Sequence, residues 1–309
     1  MRRIEYSRYG GPEELRLNNV EPKAPCDDQI SIRVKAASTN PMDWKIRAGT
    51  MKMMTGKNFP RGVGTDFAGV VEAVGRAVTR FKVGDAVFGA MTVKESATFA
   101  DTILTAEDTA AIKPESISFE EAATLPIAGA TAWTALIDTA KLQSGQRVLV
   151  NGCLGSVGRA AVQIAKVHGA KVVGTCSPGG VAEAQALGVD EAIDYRGFDP
   201  KTYRKSFDVV FDTAGVLSPG QCLPMLTSKG VALHINLNPK KMIGVLFTRR
   251  NKAVIAKTPS TILEELARLA ANGKLKLSIA GVIPLADAIP AITKLEANGL
   301  PKGKLVIVP

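Results

Sequence analysis

Gly152, Gly155 and Gly158 stand at three-residue spacing directly after Arg147 to Asn151, a short run rich in valine and leucine that reads as a buried strand. From Ser156 the chain takes helical periodicity, with Val157, Ala160, Ala161, Ile164 and Ala165 on one side. A strand, a glycine turn and a helix start are the parts of a nucleotide-phosphate site. Glycine lets the backbone approach a pyrophosphate, and the free N–H groups at the positive end of the helix offset its charge. The wording departs from the common G-x-G-x-x-G, because with Gly155 and Gly158 as its last two glycines Cys153 stands where the first would be. By itself the pattern also fits an ordinary tight turn from strand to helix.

The next residues favour the nucleotide. After His168 and Gly169 a second strand, Lys171 to Cys176, completes a strand–helix–strand unit of roughly 30 residues. At the end of that strand an NAD-selective site places an acid on the ribose 2′-hydroxyl. Here the residues are Ser177, Pro178, Gly179 and Gly180. With no carboxylate to repel a 2′-phosphate, the expected cofactor is NADP(H). The usual neighbouring Arg or Lys is missing too.

Such a turn needs a parallel sheet to carry it. From Ser118 onward strands and helices alternate: a capping box at Ser118 to Glu121, a helix-prone run from Ala122 to Leu136, the glycine unit, then strands at Ala192 to Tyr195, Asp208 to Asp212 and Val231 to Ile235. Before it, short β-like runs at Gln29 to Ala36, Gly69 to Val74, Ala86 to Gly89 and Thr102 to Leu104 are punctuated by glycine, proline and aspartate. That texture predicts a barrel-like β domain. The end of the chain reads as a helix from Thr258-Pro259 to about Asn272, a strand near Leu277 to Ile283, a helix from Ala286 to Ala297 and a strand at Leu305 to Val308. So short a tail cannot form its own core and should fold back. The expected class is α/β: a doubly wound parallel sheet in residues 119–273, and an incomplete β-barrel in 1–118 to which 274–309 returns.

The 309 residues, 46% hydrophobic and 22% charged, suit two globular domains. The start, MRRIEYSRYGG, lacks the apolar core of a signal peptide, and no apolar run is long enough to span a bilayer, so a cytoplasmic protein is expected. Cys26, Cys153, Cys176 and Cys222 are scattered, without metal-ligand spacing. A formal charge of +10 attracts anionic ligands, yet the densest basic cluster (Lys240, Lys241, Arg249, Arg250, Lys252) is split by Met242 to Phe247 and aromatics are only 5%, which argues against a specific nucleic-acid face.

Several blocks together resemble one family. Asn40-Pro41-Met42-Asp43-Trp44-Lys45 with Arg47 and Gly49 resembles its N-P-x-D-x-x-x-R-x-G segment. Gly64 to Val71, Val83 to Gly89, Ala122 to Pro126 with Gly129 to Ala132, and Lys302 to Val306 match further blocks, and Gly152 to Gly158 resembles its A-x-x-G-x-x-G turn with Gly152 for the alanine. The chain is thus similar, nearly end to end, to zinc-independent medium-chain dehydrogenase/reductases of the quinone oxidoreductase-like branch. Its closest likeness is to the chloroplast-envelope group and its bacterial relatives. The resemblance implies a GroES-like catalytic domain beside a Rossmann domain, a homodimer, and a small electrophilic substrate.

The departures from the zinc enzymes of this superfamily bear on the chemistry. Those carry a cysteine near Asn40 and Gly-His-Glu near Gly64; this chain has Asn40 and Gly64-Thr65-Asp66. No metal site is expected, and the only histidines, His168 and His234, read as structural. Without a Lewis acid, reduction of an activated acceptor suits the site better than oxidation of a simple alcohol. Hydride delivery to an enone or quinone puts negative charge on oxygen, which needs donors. The candidates are the Asn40 amide and the Lys45 ammonium, with Asp43 orienting either; Asn40 and Asp43 also fit a plain turn and helix cap. By resemblance, Thr131, Ile235, Asn236 and Phe247 lie at the nicotinamide, and Gly152, Gly155, Ser156, Val157 and Gly158 hold the pyrophosphate. Ser177, Tyr195 and Arg196 line the 2′-phosphate pocket, and Ala214 and Gly215 pass beneath the adenine or ribose.

The expected activity is NADPH-dependent reduction of an enone, enal or quinone. Two rivals stand beside it: a cofactor-binding protein with little turnover, serving as redox sensor, scaffold or RNA binder, and a zinc-free alcohol dehydrogenase.

Overall fold

A computed structural model describes residues 1–235, 239–246, 248–299 and 302–309; of Pro239, Lys240 and Leu246 only the backbone is described. The chain divides into two compact units, one of Met1–Ile127 with Thr258–Pro309, the other of Ala128–Lys257.

The first unit begins with β1 (Arg2–Tyr6) and β2 (Arg16–Asn19), an antiparallel pair. Then come β3 (Gln29–Ser38), α1 (Pro41–Arg47), α2 (Lys52–Thr55), β4 (Arg61–Gly62), β5 (Asp66–Val74), β6 (Ala86–Ala90), β7 (Thr102–Ala106), β8 (Ala110–Ile112) and α3 (Phe119–Thr124). The four strands expected from sequence lie inside β3, β5, β6 and β7. β3 is the spine. β5 pairs along one edge of it, and on the other edge β7 takes Gln29 to Arg33. Ile30, Ile32, Val34, Phe67, Val71, Val87 and Ile103 fill the core between these strands. α3 opens on the expected capping box: Ser118 Oγ accepts from Glu121 N, and Glu121 accepts from Ser118 N.

The helical run expected over Ala122 to Leu136 is interrupted. α3 ends, and α4 (Pro126–Trp133) starts anew at a proline that has no N–H to continue the ladder. A π-helical turn, Thr134–Thr139, follows. The second unit is then β9 (Arg147–Asn151), α5 (Ser156–Val167), β10 (Lys171–Cys176), α6 (Val181–Ala186), β11 (Glu191–Asp194), β12 (Phe207–Asp212), α7 (Pro219–Cys222), β13 (Leu226–His234), α8 (Pro239–Leu246) and β14 (Asn251–Ala253). The strands are all parallel in the order β11-β10-β9-β12-β13-β14. This is the doubly wound Rossmann arrangement. Its order reverses between β9 and β12, where the carboxyl ends of the strands leave a crevice.

The chain returns to the first unit through α9 (Ser260–Ala271), β15 (Ile279–Pro284), α10 (Ala288–Asn298) and β16 (Lys304–Val308). β16 pairs antiparallel with Ala37 and Ser38 of β3, closing the sheet beside β7. The sequence reading divides the chain at 118/119 and 273/274. The folded units divide later and earlier than that, because α3 packs on β3 and β5, and α9 packs on β8. Among the described residues no helix is long and apolar enough to cross a membrane.

Candidate functional site

β9 delivers the chain to the glycine turn. Gly152 has φ +85°, a left-handed conformation that side chains disfavour, and a Cβ there would lie 3.0 Å from the Ala214 Cβ. Gly158 is needed for another reason: a Cβ on it would fall 2.2 Å from the Gly152 carbonyl oxygen, so only glycine lets α5 sit this close to the turn. Gly155 is the N-cap of α5, and a Cβ on it would meet only the Gly152 carbonyl, at 3.5 Å. Ser156, Val157 and Gly158 open the helix, where N–H groups have no acceptor within it. Cys153, at the first-glycine position, is fully buried, its Sγ 2.8 Å from where a Cβ on Gly174 would lie, and so faces into the protein. Burial pushes its thiol up to about 12. Arg159 Nε donates to the Leu154 carbonyl at 2.9 Å, and its guanidinium pairs with Glu183, which ties the turn to α6.

A cavity of about 520 Å³ opens at this turn. Of the residues expected there, Gly152, Gly155, Ser177, Tyr195 and Ala214 line it. Tyr195 remains 59% exposed. Sequence reasoning missed the other lining residues, Asn151, Leu154, Thr175, Cys176, Phe198, Pro200, Val216, Leu217 and Gln221. Among the described residues none that lines the cavity is acidic. Arg196 does not line the cavity, and its guanidinium is engaged by Asp194 at 2.8 Å. Thr131 on α4 and Ile235 just after β13 are not among the lining residues either. Asn236 and Phe247 lie outside the described residues.

The floor at the carboxyl ends of the strands is a continuous polar chain. Thr175, Asn151, Asp212 and His234 stand side by side across β10, β9, β12 and β13. Thr175 Oγ1 accepts from Gly152 N at 2.9 Å and donates to Asn151 Oδ1 at 2.6 Å. Asn151 Nδ2 donates to Asp212 Oδ1 at 2.7 Å. Asp212 is fully buried and is met by Lys241 Nζ of α8 at 3.0 Å. Nothing in the sequence spacing links Lys241 to Asp212; the topology alone brings them together. Burial lowers the His234 imidazole pKa, and its Nε2 lies 3.1 Å from Asn251 Oδ1.

A second cluster lies in the first unit, around the start of α1. Asn40 Nδ2 donates to Asp66 Oδ2 at 2.9 Å and to Thr65 Oγ1 at 3.2 Å. Its Oδ1 accepts from Lys304 Nζ at 2.9 Å. Asp43 Oδ2 accepts from Asn40 N at 2.7 Å and closes the first turn of α1, while Oδ1 accepts from Thr65 Oγ1 at 3.0 Å. Asp66 Oδ1 accepts from Ile127 N, and Ser38 Oγ donates to Asp66 Oδ2 at 3.2 Å. Burial, reinforced by the Asp66 charge and opposed by the Asn40 N–H, pushes the Asp43 carboxyl up to about 7.

The sequence expectation that Asn40 offers its amide to a substrate oxygen does not fit this geometry. Asn40 is 4% exposed and both amide hydrogens already have acceptors. Asp43 is spent on the backbone of Asn40 and on Thr65, not on Lys45. Lys45 itself is exposed on α1. Among the described residues no three His, Cys, Asp or Glu side chains group to hold a metal ion.

Two family models match the chain: the alcohol dehydrogenase GroES-like domain over residues 26–126 and the zinc-binding dehydrogenase domain over 187–307. A chloroplastic quinone-oxidoreductase homolog of Spinacia oleracea is 30% identical, over all of this chain and 98% of that protein. The 2-methylene-furan-3-one reductase of Solanum lycopersicum is 33% identical, over all of this chain and 79% of that protein. Among solved structures, the Escherichia coli quinone oxidoreductase complexed with NADPH superposes with a TM-score of 0.84 at 28% identity, covering both chains in full.

Proposed function

The chain belongs to the quinone oxidoreductase-like medium-chain dehydrogenase/reductases, and from that premise we propose that it transfers hydride from NADPH to an activated acceptor, an α,β-unsaturated ketone or aldehyde or a quinone, without zinc. The observation that carries the reading is the cavity at the glycine turn, which among the described residues is lined by glycine, apolar and uncharged polar residues and by no carboxylate. A pyrophosphate fits at free helix N–H groups beside Gly155, and a 2′-phosphate beside Ser177 and Tyr195 meets no like charge. The Escherichia coli neighbour with NADPH and the Solanum relative named for a methylene beside a ring ketone support the same cofactor and an enone acceptor.

When bound, the reduced nicotinamide supplies the hydride. The protein's part is to hold, orient and exclude water. Gly152 to Gly158 take the pyrophosphate, Ala214 the adenosine, and Thr131 and Ile235, with Asn236 and Phe247, the nicotinamide. Negative charge arriving on the acceptor oxygen calls for a donor with a free hydrogen. With the Asn40 amide committed elsewhere, Lys45 takes that role, and Asn40 and Asp43 hold the start of the helix that carries it. We assign Met1–Ile127 with Thr258–Pro309 to the catalytic domain and Ala128–Lys257 to cofactor binding, in a cytoplasmic homodimer.

The test is NADPH consumption against a panel of quinones, short and long enones and enoyl thioesters. Turnover with enones or quinones is expected. Tight NADPH binding with no turnover across the panel would instead make the chain a cofactor-binding protein.

A further inference from the structure

Asp212 ends β12 with both carboxylate oxygens occupied and no exposure to solvent. Oδ1 accepts from Asn151 Nδ2 at 2.7 Å, from Gly215 N at 3.0 Å and from Val216 N at 3.2 Å. Oδ2 accepts from Leu217 N at 3.0 Å and from Lys241 Nζ at 3.0 Å. The carboxylate is thus the post around which the 213–217 loop is wound, and Ala214, Val216 and Leu217 of that loop line the nucleotide cavity. Among the described residues four of its five donors are neutral, and only Lys241, itself 8% exposed, brings a countercharge.

Lys241 also grips the loop directly, donating to the Gly215 carbonyl at 2.6 Å. Its ammonium therefore bridges the carboxylate that gathers the loop's N–H groups and a carbonyl of the loop itself. Gly215 has φ +75°, so the loop bends sharply at the point where both contacts meet. A charged donor–acceptor pair shut away from water is strong while both members are present. Losing the lysine leaves the buried carboxylate with its neutral donors but without a countercharge. An unbalanced negative charge at the carboxyl ends of the strands would also lie close to where the anionic cofactor is proposed to bind.

We propose that Lys241 is a positioning residue for the cofactor site. Through Asp212 and the Gly215 carbonyl it fixes the 213–217 loop, and through Asn151 and Thr175 the same hydrogen-bond chain reaches the N–H of Gly152. Lys241 does not line the cavity, so its effect on the nucleotide passes through the loop. The proposal rests on the nucleotide reading above. It adds that α8, the helix carrying Lys241, controls how well the loop is formed.

The test uses the full chain and the variants Lys241→Met, Lys241→Gln and Lys241→Arg, with amide hydrogen exchange and cofactor titration side by side. In Lys241→Met the amides of Gly215, Val216 and Leu217 should exchange at least tenfold faster, the NADPH Kd should rise by about tenfold, and kcat at saturating cofactor should hold within twofold. Lys241→Arg should restore both protection and affinity, because it keeps the charge and the donors; a merely structural lysine would not give that paired rescue. Should Lys241→Met fail to fold, Lys241→Gln, which keeps a donor and loses the charge, serves in its place. Unchanged exchange at 215–217 overturns the proposal, and so does faster exchange with unchanged NADPH affinity. A raised Kd with unchanged exchange also overturns it, since Lys241 would then act on the cofactor without the loop. If the wild-type chain binds neither NADPH nor NADH, the cofactor reading itself has failed, an outcome told apart because no variant enters it.

Discussion

Lys304 Nζ lies 2.6 Å from Asp66 Oδ2, with the lysine side chain 2% and the aspartate side chain 0% exposed. The pair joins the last strand, β16, to the first residue of β5. The same ammonium donates to Asn40 Oδ1, so three segments far apart in sequence meet at one buried cation. Such a pair is costly to assemble and more costly to break, because removing one partner strands the other in a medium that cannot solvate it.

Lys304→Met should therefore destabilise the first unit by on the order of 3–5 kcal/mol, read as a lowered urea midpoint. Asp66→Asn added to it should recover part of that loss, since no charge is then left buried. A Lys304→Met variant within about 0.5 kcal/mol of wild type, the usual range for a surface change, would mean the pair is open to water in solution.

The Asp43 carboxyl, pushed up to about 7 by burial, ties stability to pH. In the unfolded chain an aspartate titrates near about 3.9. Between the two values the folded chain keeps a proton that the unfolded chain has released. Stability from this group is therefore full below about 4 and falls by up to about 1.4 kcal/mol per pH unit as pH rises toward about 7. Asp43→Asn should flatten that decline in denaturation series run across this range. Parallel pH profiles for the two proteins would show that Asp43 is already ionised well below 7.

Much of the fold was legible because it is local. The glycine turn, the capping box at Ser118 and the strands of the parallel sheet announce themselves within a few residues. The cavity at the glycine turn was partly legible: Ser177 and Ala214 follow strand ends whose place is fixed by the Rossmann pattern, but Phe198, Pro200 and Gln221 arrive from loops without periodicity. The Asn40 role was misread for a related reason. Its amide looked available because the residues that consume it, Asp66 and Lys304, are brought in by strand pairing across 26 and 264 positions. Lys241 reaching Asp212 across 29 positions was hidden in the same way.

Cofactor choice should follow the missing acid. NADPH should bind more tightly than NADH by roughly tenfold, about 1.4 kcal/mol. Ser177→Asp should weaken NADPH more than NADH, because it sets a carboxylate against the 2′-phosphate. Equal or reversed wild-type affinities in a fluorescence titration would show that the absence of an acid at the cavity does not select the cofactor.

Gly155→Val should abolish nucleotide binding while the fold survives. At this N-cap φ is −70° and ψ 162°, an extended conformation open to any residue, and a Cβ has only the Gly152 carbonyl for a neighbour, at 3.5 Å. The branched side chain would fill the approach a pyrophosphate needs. A folded variant, judged by circular dichroism, that binds NADPH as wild type does would place the phosphate site elsewhere.

The reaction itself can be read from where the hydrogens go. If the chain carries out conjugate reduction, NADPH deuterated on the transferred side should label the β-carbon of an enone, and heavy water should label the α-carbon. Lys45→Gln should lower kcat/KM for enones by roughly tenfold with NADPH affinity unchanged, the order expected for weakening one donor to a developing oxygen anion that water partly replaces. Asn40→Ala should act differently, lowering the urea midpoint because it leaves Lys304 and Asp66 each short of a partner. Label at the carbonyl carbon would mean that the product is an alcohol and would end the enone reading. Turnover with quinones and no labelled carbon from any enone would leave the quinone as the acceptor.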